Sequence, residues 1–183
     1  PKSAITRQDF AVMVSRTIDL YFWTPKPHRD GSHFSDEAEI SDYAKEAVSY
    51  LASAGIINGI TADTFGVGSE ISRQDMAVMI ARILNGKNIP VTQTSEEFDD
   101  DFDITDYAKN AVYKVRDAGI INGYEDGSFR PDQTVTYAEA IKMIVCALGY
   151  GEMNVGAEGT AWYAKYLATA TQLKFLDGAG GQI

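Results

Sequence analysis

Ile5-Thr-Arg-Gln-Asp-Phe-Ala-Val-Met-Val14, Ile71-Ser-Arg-Gln-Asp-Met-Ala-Val-Met-Ile80 and Val135-Thr-Tyr-Ala-Glu-Ala-Ile-Lys-Met-Ile144 are one phrase written three times, 66 and 64 residues apart. In each, a hydroxyl residue (Thr6, Ser72, Thr136) stands three places before an acid (Asp9, Asp75, Glu139), the pattern of a capping box at a helix start. Apolar residues follow at helical spacing: Phe10, Met13, Val14 and Ile18, then Met76, Met79, Ile80, Ile83 and Leu84, then Ile141, Met143, Ile144 and Leu148. A second phrase alternates with the first. Asp42-Tyr-Ala-Lys-Glu-Ala-Val48 leading to Gly55-Ile-Ile-Asn-Gly59 recurs as Asp106-Tyr-Ala-Lys-Asn-Ala-Val112 leading to Gly119-Ile-Ile-Asn-Gly123, shifted by 64 residues. A weaker version, Trp162-Tyr-Ala-Lys-Tyr-Leu167 leading to Phe175-Leu-Asp-Gly178, closes the series. Ser41 and Thr105 are the expected caps of these shorter helices, and Gly55 and Gly119 their left-handed ends.

A fixed period of this kind means a duplicated helical unit that cannot bury its apolar face alone, so the copies must pack on one another. The expected fold is an all-α, pseudo-threefold helical prism, with three long axial helices and three short outer ones. It forms a single domain over 1–183 with repeat phases about 1–59, 60–123 and 124–183, a monomer that mimics a trimer. The chain opens just before a capping box and ends just after a short helix and so reads as cut out of phase, with the N-terminal part of the first repeat upstream. The connector Asn122-Gly-Tyr-Glu-Asp-Gly-Ser-Phe-Arg-Pro131 is expected to turn at Asp126-Gly127 and to run extended through Arg130-Pro131.

Composition bounds the chemistry. The net charge of −10 over 183 residues, with no basic stripe, argues against nucleic acid and against insertion at an anionic membrane. The lone Cys146 lies in an apolar run and reads as a buried thiol. The acidic run Asp99–Asp103 lacks the central Gly and terminal Glu of an EF-hand loop, so no metal is expected and a solvated acidic loop is the simpler reading. His28 and His33 sit in a Pro-containing insert without a Cys partner, which makes neither a zinc site nor a catalytic triad. No phosphate loop or dinucleotide fingerprint is present; neither a cofactor nor catalysis is expected.

The run Gly119–Pro131, the openings Phe34-Ser-Asp36 and Phe98-Asp-Asp100, and the Thr/Ser-Arg-Gln-Asp boxes together resemble S-layer homology repeats, three in tandem. The resemblance implies a non-catalytic anchor on the bacterial cell surface, binding secondary cell wall polysaccharide, often pyruvylated, in grooves between repeats. The hallmark Arg of the family's Thr-Arg-Ala-Glu box falls on Arg7 and Arg73, while Tyr137 departs from it. Each Arg starts beside a helix N-terminus, where free amides and the helix dipole favour an anion such as a ketal carboxylate. A solvated Arg paired with a nearby acid is the competing reading. Tyr43, Tyr107 and Trp162 stand where the family commonly has Trp, either as sugar platforms or as core wedges. Asp36 and Asp100 could hold a sugar hydroxyl or cap a turn, and Gly59 and Gly123 could admit a ligand or merely satisfy a turn. The runner-up function is a structural assembly module that contacts other protein subunits.

Overall fold

The computed structural model describes residues 2–21, 34–84, 96–151 and 161–177, so the His28 and His33 insert and the tail from Gly178 lie outside the described residues. Six α-helices follow in order: α1 (Arg7–Tyr21), α2 (Asp42–Ser53), α3 (Arg73–Leu84), α4 (Asp106–Asp117), α5 (Tyr137–Ala147) and α6 (Ala164–Gln172). Two short 3-10 turns, Glu37–Glu39 and Asp101–Asp103, precede α2 and α4. The chain is all-α: among the described residues β-structure is limited to isolated bridges, and no helix is long and apolar enough to cross a membrane. α1 packs on α2, α3 on α4 and α5 on α6. The helices do not divide into long and short: the boxes start helices of 15, 12 and 11 residues, the others have 12, 12 and 9, and α1 and α3 run to the edge of the described residues. Burial separates them instead. α3 buries Met76 through Ala81 and Leu84, whereas α4 buries Ala108, Val112 and Val115.

The three boxes meet in a closed ring of backbone hydrogen bonds. Ile5 N–H donates to Val135 C=O at 2.9 Å, Val135 N–H to Ile71 C=O at 3.1 Å, and Ile71 N–H to Ile5 C=O at 3.2 Å. One step on, the first helical amides of Arg7, Arg73 and Tyr137 donate to Ser69, Gln133 and Ser3 carbonyls. A helix N-terminus leaves its first amides without intrahelical partners. Here a strand-like segment of a neighbouring unit takes one from each helix. Ile5, Ile71 and Val135 are fully buried at this junction.

The boxes cap as expected, but not identically. Asp9 N–H donates to Thr6 Oγ1, Asp75 N–H to Ser72 Oγ and Glu139 N–H to Thr136 Oγ1. The reciprocal bond, from the cap's own N–H to the acid, is present at Glu139 and at neither Asp among the described residues. Glu is one methylene longer, and the two Asp carboxylates accept tyrosine hydroxyls instead, Asp9 from Tyr43 and Tyr137 and Asp75 from Tyr107. Ser41 and Thr105 occupy the cap positions of α2 and α4, yet neither side chain caps its helix. The box glutamines intervene: Gln8 Oε1 accepts Ser41 N–H, and Gln74 Oε1 accepts both Thr105 N–H and Thr105 Oγ1–H. Gly55 and Gly119 take the left-handed C′ position at φ 70° and 69°, and Lys174 does the same after α6 at φ 60°.

Each connector is stapled by the aspartate of its opening motif. Asp36 accepts the amides of Phe65, Gly66 and Val67, and Asp100 those of Phe129 and Arg130. Phe34 packs on Phe65 and Phe98 on Phe129, with ring centroids 5.5 and 5.3 Å apart. Arg130 corrects the expected extended conformation. It is left-handed at φ 59°, as Gly66 is at φ 83° in the preceding unit, and its guanidinium bonds Ser128 and Asp126. The Asp99–Asp103 run is likewise more than a solvated loop: it forms a 3-10 turn, and Asp101 accepts from Lys109 and Tyr113. No group of acids, His and Cys among the described residues could hold a metal ion. Cys146 is half-buried rather than buried.

Thr136→Ala, which breaks a complete capping box, should cost about 2 kcal/mol in urea unfolding, and Ser72→Ala about 1 kcal/mol; equal costs would contradict the asymmetry. Burial pushes the Asp36 carboxyl upward, but its backbone donors outweigh that and hold it below the usual carboxylate range. The folded state thus binds its proton less readily than the unfolded chain does. The associated stability is present above the ordinary pKa of about 4 and lost as pH falls through the lowered value. Asp36→Ala should cost about 2–3 kcal/mol at neutral pH, and its unfolding free energy should fall less than the parent's on acidification below about pH 4.

Candidate functional site

The second residue of every box reaches across the ring to the acid of the next. Arg7 Nη1 lies 3.9 Å from Asp75 Oδ2, Arg73 Nη1 lies 3.8 Å from Glu139 Oε1, and Tyr137 Oη donates to Asp9 Oδ2. Neither Arg is a solvated surface cation, since both are 6% exposed. Burial pulls both guanidiniums below their ordinary value; Asp75 opposes this at Arg7, and Tyr124 and Glu139 oppose it at Arg73.

The Arg7 junction opens on a groove of about 340 Å³ between the first connector and α3, lined by Asn58, Gly59, Ile60, Asp75, Met79, Arg82 and Tyr107. Arg7 is tied to the groove wall: Nε donates to Phe65 C=O at 2.9 Å and Nη2 to Asn58 C=O at 2.6 Å. The Arg73 junction opens on a groove of about 660 Å³, lined by Asn122–Asp126, Arg130, Glu139, Lys142, Met143 and Trp162. There the guanidinium stacks on Tyr124 and Phe129, 4.9 and 5.3 Å from the ring centroids. Its Nε is buried and has no hydrogen-bond partner among the described residues. A buried donor left unmatched is uncommon and costs free energy.

The third junction is occupied by its own side chains. Asp9 is 5% exposed and accepts from Tyr137 Oη, Tyr43 Oη at 2.7 Å and Thr6 Oγ1 at 2.9 Å. Burial and the Asp9 bond push the Tyr43 hydroxyl up to about 12, and burial ahead of Asp9 raises that of Tyr137 as well. Both stay protonated donors at any physiological pH.

The aromatic residues are not core wedges. Tyr43, Tyr107 and Trp162 are 44%, 61% and 54% exposed. Tyr43 and Tyr107 each donate to the acid of the box helix they pack on, Asp9 and Asp75. Trp162 makes no such bond among the described residues. It sits in the turn before α6, edge-on to Tyr163 and Tyr166. Asp36 and Asp100 lie in the connectors with both carboxylate oxygens committed to backbone amides. A Cβ on Gly59 would fall 2.2 Å from Thr64 O, and one on Gly123 would fall 2.6 Å from Phe98 Cε1, so both glycines serve the fold of the connector. The structure therefore gathers Arg7 with Gly59 and Tyr107, and Arg73 with Gly123 and Trp162, while Tyr43 and Tyr137 meet at Asp9. Sequence reasoning passed over Tyr124, Arg130 and Lys142. Lys142 had a signal: it is a cation on a helix face where the preceding unit has Val78.

Residues 33–77 and 97–141 match the S-layer homology domain model. Each match starts one residue before an opening Phe, runs over α2 or α4 and its connector, and ends in the next box helix. Of the curated relatives, the "Middle cell wall protein" of Brevibacillus brevis is 33% identical over 70% of this chain and 12% of its own length. The "Surface layer protein" of Brevibacillus choshinensis is 33% identical over 73% of this chain and 12% of its own. The "Endoglucanase" of a Bacillus species is 28% identical over 79% of this chain and 15% of its own. This chain thus corresponds to a small part of much longer relatives. The chain is thus similar to S-layer homology repeats over residues 33–77 and 97–141.

Proposed function

We propose that this chain is a non-catalytic anchor that holds its parent protein to the cell wall by binding wall polysaccharide, pyruvylated on an amino sugar, in the grooves between units. Its repeats belong to cell-surface and cell-wall proteins. One observation carries the reading: a buried Arg at a helix N-terminus faces an open groove beside an exposed aromatic ring, and this construction occurs twice, at Arg7 with Tyr107 and at Arg73 with Trp162. A guanidinium partly stripped of water recognises a carboxylate more strongly than one in bulk solvent. The flat ring supplies the apolar area on which a sugar face packs.

The relatives support the same reading by their variety. A protein named for the cell wall, one named for a surface layer and one named for glucan hydrolysis share this segment over a small fraction of their lengths. A shared location explains that distribution more economically than a shared reaction. The unit around Tyr137 and Trp162 is read as a diverged third repeat that completes a pseudo-threefold prism, since its box closes the backbone ring. A second reading, contact with other protein subunits, draws on the third junction filled by Asp9, Tyr43 and Tyr137 and on Phe102, which is 82% exposed.

Purified chain should sediment with wall sacculi and remain in solution after the secondary polymer is extracted; sedimentation unaffected by extraction would favour the assembly reading. Arg73→Ala should weaken binding to the intact wall by about tenfold to a hundredfold, as expected for a charge-assisted contact worth about 1.5–3 kcal/mol. Circular dichroism of the variant separates lost binding from lost fold.

A further inference from the structure

The two Arg grooves are built alike but are not chemically alike. Arg7 has two of its three nitrogens bonded to groove-wall carbonyls and the third paired with Asp75, whereas Arg73 leaves Nε unmatched. Lys142 stands in the Arg73 groove where Val78 lines the other, half-buried, and no ion pair claims its ammonium among the described residues. Its Nζ lies 5.9 Å from the centre of the Trp162 ring. The other cation of that groove, Arg130, is spoken for by Asp126 at 2.8 Å. The Arg73 groove is also the roomier, about 660 against 340 Å³.

We propose that this chain has a single acidic-sugar site, the Arg73 groove, in which Lys142 sets the preference for a charged ligand and Trp162 carries the sugar ring. The proposal rests on the wall-polysaccharide reading and narrows it to one groove and one added residue. A sugar seated on Trp162 lies beside Lys142, so an anionic substituent at its edge meets an ammonium that no ion pair claims among the described residues. In the Arg7 groove the corresponding position offers the apolar Val78, and the guanidinium would have to leave two backbone carbonyls to turn toward a ligand.

The probes are N-acetylmannosamine methyl glycoside with and without a pyruvate ketal, titrated calorimetrically into the purified chain. The ketal sugar should bind at one per chain. Lys142→Gln should weaken it about tenfold, Lys142→Arg should restore most of the loss, and the ketal-free sugar should bind both variants as weakly as it binds the parent. Circular dichroism should show each variant folded. Two equivalent sites, or a folded Lys142→Gln variant that binds the ketal sugar like the parent, overturns the proposal and leaves the wall-anchor reading standing. Sedimentation with sacculi without binding of the ketal sugar also overturns it alone, whereas binding to neither sacculi nor ketal sugar removes both.

Discussion

Three peptide groups, at Ile5, Ile71 and Val135, bond head to tail around a closed ring, and the arrangement of the rest follows from it. Each box helix owes the pairing of its first amide to a segment of another unit. No box can therefore be completed by its own unit, and each groove is bounded by two units by construction. The side-chain contacts one step outward repeat the logic, because box position two of one unit meets the acid of the next. Arg7, Arg73 and Tyr137 are thus joints of the fold before they are candidates for binding, and a ligand reaching either Arg also touches what holds the units together.

The fold was largely legible because its signals are local and written more than once. Capping residues, apolar spacing and the left-handed glycines at 55 and 119 need no knowledge of tertiary contacts. What escaped the sequence depends on partners far away in the chain. Ser41 and Thr105 hold the cap positions without capping, and their own amides bond to Gln8 and Gln74, which arrive from another helix. Arg130 precedes a proline and so reads as extended, yet it inherits the left-handed place held by Gly66, with Asp100 holding its amide.

The candidate site was legible in kind rather than in state. Repetition pointed to the box arginines, but not to Arg7 being bonded to Phe65 and Asn58 while Arg73 is not, since that depends on where two backbone carbonyls fall. The third box shows how duplication drifts without loss of the joint. An Arg facing an acid becomes a Tyr facing an acid that Tyr43 and Thr6 also serve, so an ion pair gives way to a set of hydroxyl donors around one carboxylate.

The ring also bears on how the chain comes to be folded. Its closing partners, Ile5 and Val135, come from the first and third units, and contacts between distant parts of a chain are slow to form because loop closure costs entropy. During synthesis the first two units emerge with the Ile5 amide and the Ile71 carbonyl unpaired, and with the apolar faces of the first two box helices uncovered by the third. Such an unfinished edge invites pairing with another copy of the same chain. The unit that carries Val135 is then the one that makes the earlier two safe from their neighbours.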